Sequence, residues 1–274
     1  EMLADLKNLS KPSVEKTKRQ RLVILAVTAF ALFGAVGLWL MFFYKPVPSS
    51  ELMLQTVCSD RNGLISWYSA ESNADDRFDR NNGTLENGAD FARGKFGQGF
   101  YFSGGEDFVR ATTHNFPIKN QDRTIEGWVK VKDFGNDYYN ETFFFGYGNF
   151  IDYPSLVFVL GLYENNNIKN SLHFSQWGKN ITGEQFKIDT FYHVAATNVG
   201  NEVSLYLNGN LVETKTLALN MSEEAEFFIG RIGNKLGNTR RLNGIVDEVK
   251  IYNRALTADE IKLIYNDGDG IDCR

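Results

Sequence analysis

VSLYLNGNLVETKTL, residues 203–217, is the stretch whose reading decides the fold. Two runs of alternating side chains flank Asn208-Gly209. A two-residue Asn-Gly step between alternating strands is the signature of a primed hairpin turn, whose twist matches that of the strands it joins. The rest of the region has the same texture. Short aromatic and β-branched runs occur at 64–68, 99–102, 124–131, 142–147, 156–162, 193–197 and 244–252, separated by Gly, Asn and Asp clusters. That spacing predicts an antiparallel sandwich rather than a helical or α/β domain. One helix is predicted near the end. Thr257, Ala258, Asp259 and Glu260 form a capping box, Ile261, Ile264 and Tyr265 follow, and Gly268 closes it.

The N-terminal part differs. Residues 22–44, LVILAVTAFALFGAVGLWLMFFY, carry no charge. As a helix the run is about 35 Å long, enough to cross a hydrocarbon core of roughly 30 Å. It ends in Trp39, Phe42, Phe43 and Tyr44 before Lys45, as interfacial belts do. Residues 1–21 hold six basic groups against three acidic ones, so this tail is +3 in a chain of −5, and residues 45–274 carry −8. The positive-inside rule then places the tail in the cytoplasm and the large domain in the periplasm or outside the cell. The expected division is a basic tail 1–21, a transmembrane helix 22–44, a linker 45–56 with Pro46 and Pro48, and a sandwich 57–274.

The exterior part is acidic, which argues against nucleic acid as a partner. The membrane bilayer and other membrane proteins are the expected partners. Ala31, Gly34, Ala35 and Gly37 give the span a small-residue face on which another helix can pack. Cys58 and Cys273 lie near the two ends of the sandwich. An oxidising compartment points to one disulfide between them; two free buried thiols are the alternative.

Seven stretches resemble, in order, the laminin G-like domains of the concanavalin A-like lectin/glucanase group. They are NGLISWYSAESNADD, NNGTLENGADFARGKFGQGFYFSGGEDFV, RTIEGWVKV, FYHVAAT, VSLYLNGNLV, FFIGRIG and LNGIVDEVKIYNRALTADEIKLIY, and the match they mark out runs over about residues 63–265. The resemblance implies an all-β jelly roll of two antiparallel sheets. With it, Trp67 and Trp128 read as inward-facing core aromatics, and Gly104 and Gly105 as a tight turn. It also implies a calcium ion held by aspartates and backbone carbonyls on the rim. Asp76, Asp107 and Asp247 match the acidic positions. A hard cation needs six to eight oxygens, so carbonyls such as those of Gly104 and Gly105 would have to contribute. The alternative is that each Asp caps a turn.

Fold alone does not assign function. Glycosidases need two carboxyls about 5–9.5 Å apart. Asp247 and Glu248 are adjacent, so in a strand they point to opposite faces and cannot form the pair, and Glu126 has no acidic residue two positions away. His114, His173 and His193 are far apart in sequence. The expectation is therefore that the chain is not an enzyme. Tyr138, Tyr139 and Trp177 fall in polar loops and are the candidates for stacking on glycan or partner. The expected function is binding, as an accessory subunit of a membrane assembly. A membrane-tethered lectin or adhesin comes second. A pilin-like subunit ranks third, because the apolar run begins only at Leu22.

Overall fold

The computed structural model describes residues 62–134, 141–149, 156–163, 170–176, 179–223, 225–232 and 240–270. All belong to the second of two units, Leu52–Arg274. The expected tail, span and linker, the pair Cys58 and Cys273, and the loop aromatics Tyr138, Tyr139 and Trp177 lie outside the described residues. Among the described residues no helix is long and apolar enough to cross a membrane.

Two antiparallel sheets face each other. The first contains β1 (Leu64–Tyr68), β3 (Asp90–Arg93), β4 (Gln98–Ser103), β6 (Arg123–Asp133), β11 (Phe191–Val199), β12 (Glu202–Leu207), β13 (Asn210–Thr216) and β17 (Asn243–Tyr252). Its order is β13-β12-β11-β6-β17-β4-β3, with β1 pairing on β17. The second contains β2 (Gly83–Glu86), β5 (Phe108–Ala111), β7 (Glu141–Asn149), β8 (Leu156–Tyr163), β9 (Ser171–Gln176), β10 (Lys179–Gln185) and β14 (Glu226–Ile229), in the order β10-β9-β8-β7-β14-β5-β2. A short pair, β15 (Arg231–Ile232) and β16 (Arg240–Arg241), lies apart. Strands distant in sequence are neighbours, as the two-sheet jelly-roll expectation requires.

Period-2 alternation decides which side chains meet between the sheets. On β6, Ile125, Val129 and Val131 join the shared core. Facing them are aromatics of the second sheet, Phe145, Tyr147, Phe158, Phe174 and Phe227. Tyr68 of β1 stacks on Phe227 of β14 at 5.2 Å, a direct contact between the sheets. At the start of β6 Arg123 is wholly buried. Its guanidinium donates to the carbonyls of Pro117, Ile118, Lys119 and Gln121 and to the Tyr147 hydroxyl, so it ties down the loop before β6.

The hairpin at 207–210 is as predicted. Asn208 has φ 50° and Gly209 φ 75°, the two positive values a type I′ turn needs. The helix, α1 (Ala258–Tyr265), starts with the predicted capping box. The Glu260 N–H donates to Thr257 Oγ1, and the Thr257 N–H donates to Glu260 Oε2. Arg254 forks onto the same carboxylate at 2.9 and 2.6 Å. The helix ends earlier than predicted. Asn266 takes the left-handed cap at φ 46°, and Gly268 belongs to the 3-10 turn that follows.

α1 lies on the outer face of the first sheet. Its Ile261 and Ile264 pack with Ala195, Tyr206, Tyr252 and Leu256. The outer face also corrects the reading of the two tryptophans. Trp67 and Trp128 are buried, but neither belongs to the core between the sheets. Trp128 alternates with Val129 and so points outward, where Tyr265 of α1 stacks on it.

Candidate functional site

The outer face of the first sheet carries rows of side chains set by strand register. Opposed residues of an antiparallel pair share a face. One row runs Tyr101–Ile245–Lys130–Phe191 across β4, β17, β6 and β11. Asp90 of β3 opposes Tyr101 and extends it. The next row contains Asp247, Trp128 and His193. The third contains Trp67, Lys250, Glu126 and Ala195.

The inner two rows hold a buried charged cluster. Glu126, His193 and Asp247 are fully buried and Glu248 nearly so. His193 Nε2 lies 3.1 Å from Glu126 Oε2. The Lys250 ammonium lies 3.4 Å from Glu126 and 3.5 Å from Glu248. Trp67 Nε1 donates to Glu248 Oε2 at 2.8 Å. Burial pushes the Glu126 carboxyl upward, but Lys250 and His193 outweigh it and hold the group below the usual carboxylate range. Burial likewise disfavours the Lys250 cation, and Glu126 and Glu248 more than reverse this.

Glu248 reaches this cluster because the strand is not regular. The register of β17 on β6 shifts between Asp247 and Lys250, and Glu248 sits at φ 55°. A bulge inserts one residue and re-aims the side chains around it. Val246 and Val249 both face the core, so Asp247 and Glu248 lie together on the outer side. The opposite-faces argument from sequence fails here. Asp247 has a different environment from Glu126. Its Oδ2 accepts the Phe96 N–H at 2.9 Å, and its Oδ1 accepts no hydrogen bond. Gly94 makes room, since a Cβ there would lie 2.5 Å from Oδ2. Burial, and secondarily the Glu248 charge, push the Asp247 carboxyl up to about 8, against the backbone N–H groups of Phe96, Glu248 and Lys95. One carboxyl on this face is therefore pushed up while another, Glu126, is held down, which is the electrostatic split that acid–base chemistry uses.

The three aspartates matched to calcium positions have separate surroundings. Asp76 accepts from Trp67 N, Phe78 N, Ser66 Oγ and Asn81 N, and so caps the loop after β1. Asp107 accepts from Ser103 N in the turn before β5. Asp247 is on the outer sheet face. Among the described residues no group of three or more His, Cys, Asp or Glu could hold a metal ion.

The outermost row is the open part. Tyr101, Lys130 and Phe191 are half-buried, Asp90 and Lys132 are exposed, and Ile245 between Tyr101 and Lys130 is buried. The Lys130 ammonium stands 4.7 Å from the Phe191 centroid, and the Lys132 ammonium 4.7 Å from that of Tyr101. Two aromatic faces three strands apart are separated by roughly 14 Å, with charged donors and an acceptor between and beside them. The sequence reading missed this row. Alternation on β6 puts Glu126, Trp128, Lys130 and Lys132 on one side, but the strands that supply Tyr101 and Phe191 are identified only by pairing.

The family profile of the concanavalin A-like lectin/glucanases superfamily matches residues 103–262. No curated protein matches the chain. Among solved structures, domain 4 of a GH43 extracellular arabinanase from Geobacillus stearothermophilus, in complex with arabinotriose, is 20% identical, with a TM-score of 0.57 over 73% of this chain and 96% of that one. The binding domain of Paraclostridial Mosquitocidal Protein 1 is 17% identical, with a TM-score of 0.59 over 77% of this chain and 52% of that one. A mutant Trypanosoma rangeli sialidase displaying trans-sialidase activity is 19% identical, with a TM-score of 0.57 over 77% of this chain. This chain spans 34% of the sialidase's length. The likeness to these structures is one of fold. The expectation that the chain is not an enzyme is corrected: chains of this fold include parts of an arabinanase and a sialidase, and the bulge at Glu248 removes the argument from strand alternation.

Proposed function

This chain belongs to the concanavalin A-like lectin/glucanases superfamily, and on that premise we propose that it binds an extended oligosaccharide across the outer face of its larger sheet. The observation that carries the reading is the open row Asp90–Tyr101–Ile245–Lys130–Phe191. Aromatic faces stack on the apolar faces of sugar rings, while ammonium and carboxylate groups bond their hydroxyls. The arabinotriose bound to the arabinanase domain supports the class of ligand. In this reading the uncharged run 22–44 tethers the sandwich to a membrane, with the basic tail inside and the acidic domain outside.

The test is calorimetric titration of the full chain in detergent. Arabinotriose, sialylated oligosaccharides and neutral oligosaccharides are each tried with chelator and with millimolar calcium. Binding by wild type and a loss of about 1 kcal/mol or more in Tyr101→Ala and in Phe191→Ala is expected, which is the scale of one aromatic contact. Unchanged affinity in the double variant overturns the site. A gain in affinity on adding calcium would assign the ion a role at Asp76, Asp107 or Asp247. The same mixtures are chromatographed for released sugars. Release that is lost in Asp247→Asn would make the chain a glycoside hydrolase with Asp247 as its acid.

A second reading is an accessory subunit of a membrane assembly, favoured by the small-residue face Ala31, Gly34, Ala35 and Gly37. Native mass in mild detergent tests it: a stoichiometric complex supports it, and a free monomer removes it.

A further inference from the structure

Trp128 is only 2% exposed although it lies on the outer face of a sheet. Chain from the end of α1 onward buries it. The Tyr265 ring stacks on the indole at 5.9 Å and 26°. The Lys95 ammonium stands 4.6 Å from the indole and donates to the Gly268 carbonyl. Gly270 passes so close that a Cβ there would lie 3.0 Å from Trp128 and 2.6 Å from Phe96. The turn bonds chiefly to itself: Asp269 N to Asn266 O, Gly270 N to Tyr265 O, and Asn266 Nδ2 to Gly270 O. It sits on the sheet mainly through ring stacking and the Lys95 contact.

Beside Trp128, in cross-strand register, is Asp247. It is fully buried, and its Oδ1 has no hydrogen bond. Buried polar atoms are almost always satisfied, so an orphaned oxygen calls for an explanation. A stacking face next to an unfilled hydrogen-bonding group is half of a sugar-recognition set. This pair lies two residues along the same face from the open row, roughly 7 Å away.

We propose that Trp128 and Asp247 form a second sugar subsite continuous with the open row, and that Tyr265 and the turn 266–270 are its built-in cover. The proposal rests on the carbohydrate reading above. Tyr265 stands where a sugar ring would stack. A short oligosaccharide fills only the open row. A longer one must displace the cover, and the free energy holding the cover down is subtracted from its affinity. With the cover lifted, a sugar hydroxyl donates to Asp247 Oδ1, and the unpartnered oxygen is satisfied.

The experiment compares full-length wild type, Tyr265→Ala and Tyr265→Ala with Trp128→Phe. Each is titrated with a short and a long member of one oligosaccharide series and followed by calorimetry and tryptophan fluorescence. Tyr265→Ala is expected to bind the long member roughly tenfold more tightly, with the short member unchanged and the indole emission altered only by the long one. The added Trp128→Phe should abolish the gain. If Tyr265→Ala does not melt cooperatively, Gly270→Ala replaces it, because its Cβ meets both Phe96 and Trp128 and so weakens the seat of the whole cover, Tyr265 included. No gain for the long member, or a gain that survives Trp128→Phe, overturns the cover while leaving the open row standing. Binding of neither member by any of the proteins overturns both readings.

Discussion

Glu248 is the residue on which the outer face turns. A non-glycine residue at φ 55° is costly, and such backbone is retained where surrounding contacts over-determine it. Here the contacts are Trp67 Nε1 and the Lys250 ammonium, which hold the carboxylate once the bulge has swung it outward. Asp247 bears the electrostatic consequence. Its folded value of about 8 lies above the ordinary carboxylate value, so the folded state binds this proton more tightly than the unfolded state. Its contribution to stability is present at low pH, falls as pH rises from the ordinary carboxylate range to about 8, and changes no further above that. Glu126 has the opposite sign. Its depressed value contributes stability above the unfolded value that is lost on acidification. Asp247→Asn keeps an oxygen for the Phe96 N–H and cannot titrate. Its melting temperature should therefore decline less than that of wild type between about pH 5 and pH 9, with the variant the more stable at the alkaline end. Parallel melting curves for the two proteins across that range would show that Asp247 does not carry the proton.

At the scale of elements, the Asn208-Gly209 turn serves two structures at once. Its positive φ values close the hairpin, and its Asn208 side chain accepts the His193 N–H at 3.0 Å, joining it to β11. Gly209 also leaves the space that Tyr265 occupies, since a Cβ there would lie 3.0 Å from that ring. The turn is thus part of the seat of α1. Gly209→Val should destabilise by about 2 kcal/mol or more, combining positive-φ strain for a β-branched residue with the clash. Urea denaturation checks the size. Near-ultraviolet circular dichroism should show the loss of the Trp128–Tyr265 stack, and an unchanged spectrum would separate the hairpin from the helix. The helix start was readable because a capping box is local chemistry, Thr257 with Glu260. Its end was not, because Asn266 took the left-handed cap two residues before the glycine that marked it in sequence.

For the sandwich as a whole, the contact between sheets rests on aromatics. Phe227 is fully buried and stacks on Tyr68 of the other sheet, with Phe116 edge-on at 5.8 Å. Phe227→Ala should cost about 3–5 kcal/mol, the range for emptying a buried phenyl site, and lower the thermal midpoint of the whole sandwich in one transition. A loss under about 1 kcal/mol would mean that the sheets close over the gap. Alternation, turn dipeptides and capping residues act over a few positions, so the strands, the 207–210 hairpin and the helix start followed from sequence alone. So did the all-β class. The candidate site did not. It is made by register among β4, β17, β6 and β11, strands separated by up to about half the chain, and by one bulge that reverses a side chain's face. Trp67 and Trp128 show the same division. Their burial was legible from their apolar rings, but which face buries them depended on a helix that folds back over Trp128 and on Glu248, Lys250 and Arg77 around Trp67. Local patterns carry information about neighbours in sequence, whereas the pairing of distant strands and the cover laid on them exist only once the chain has packed.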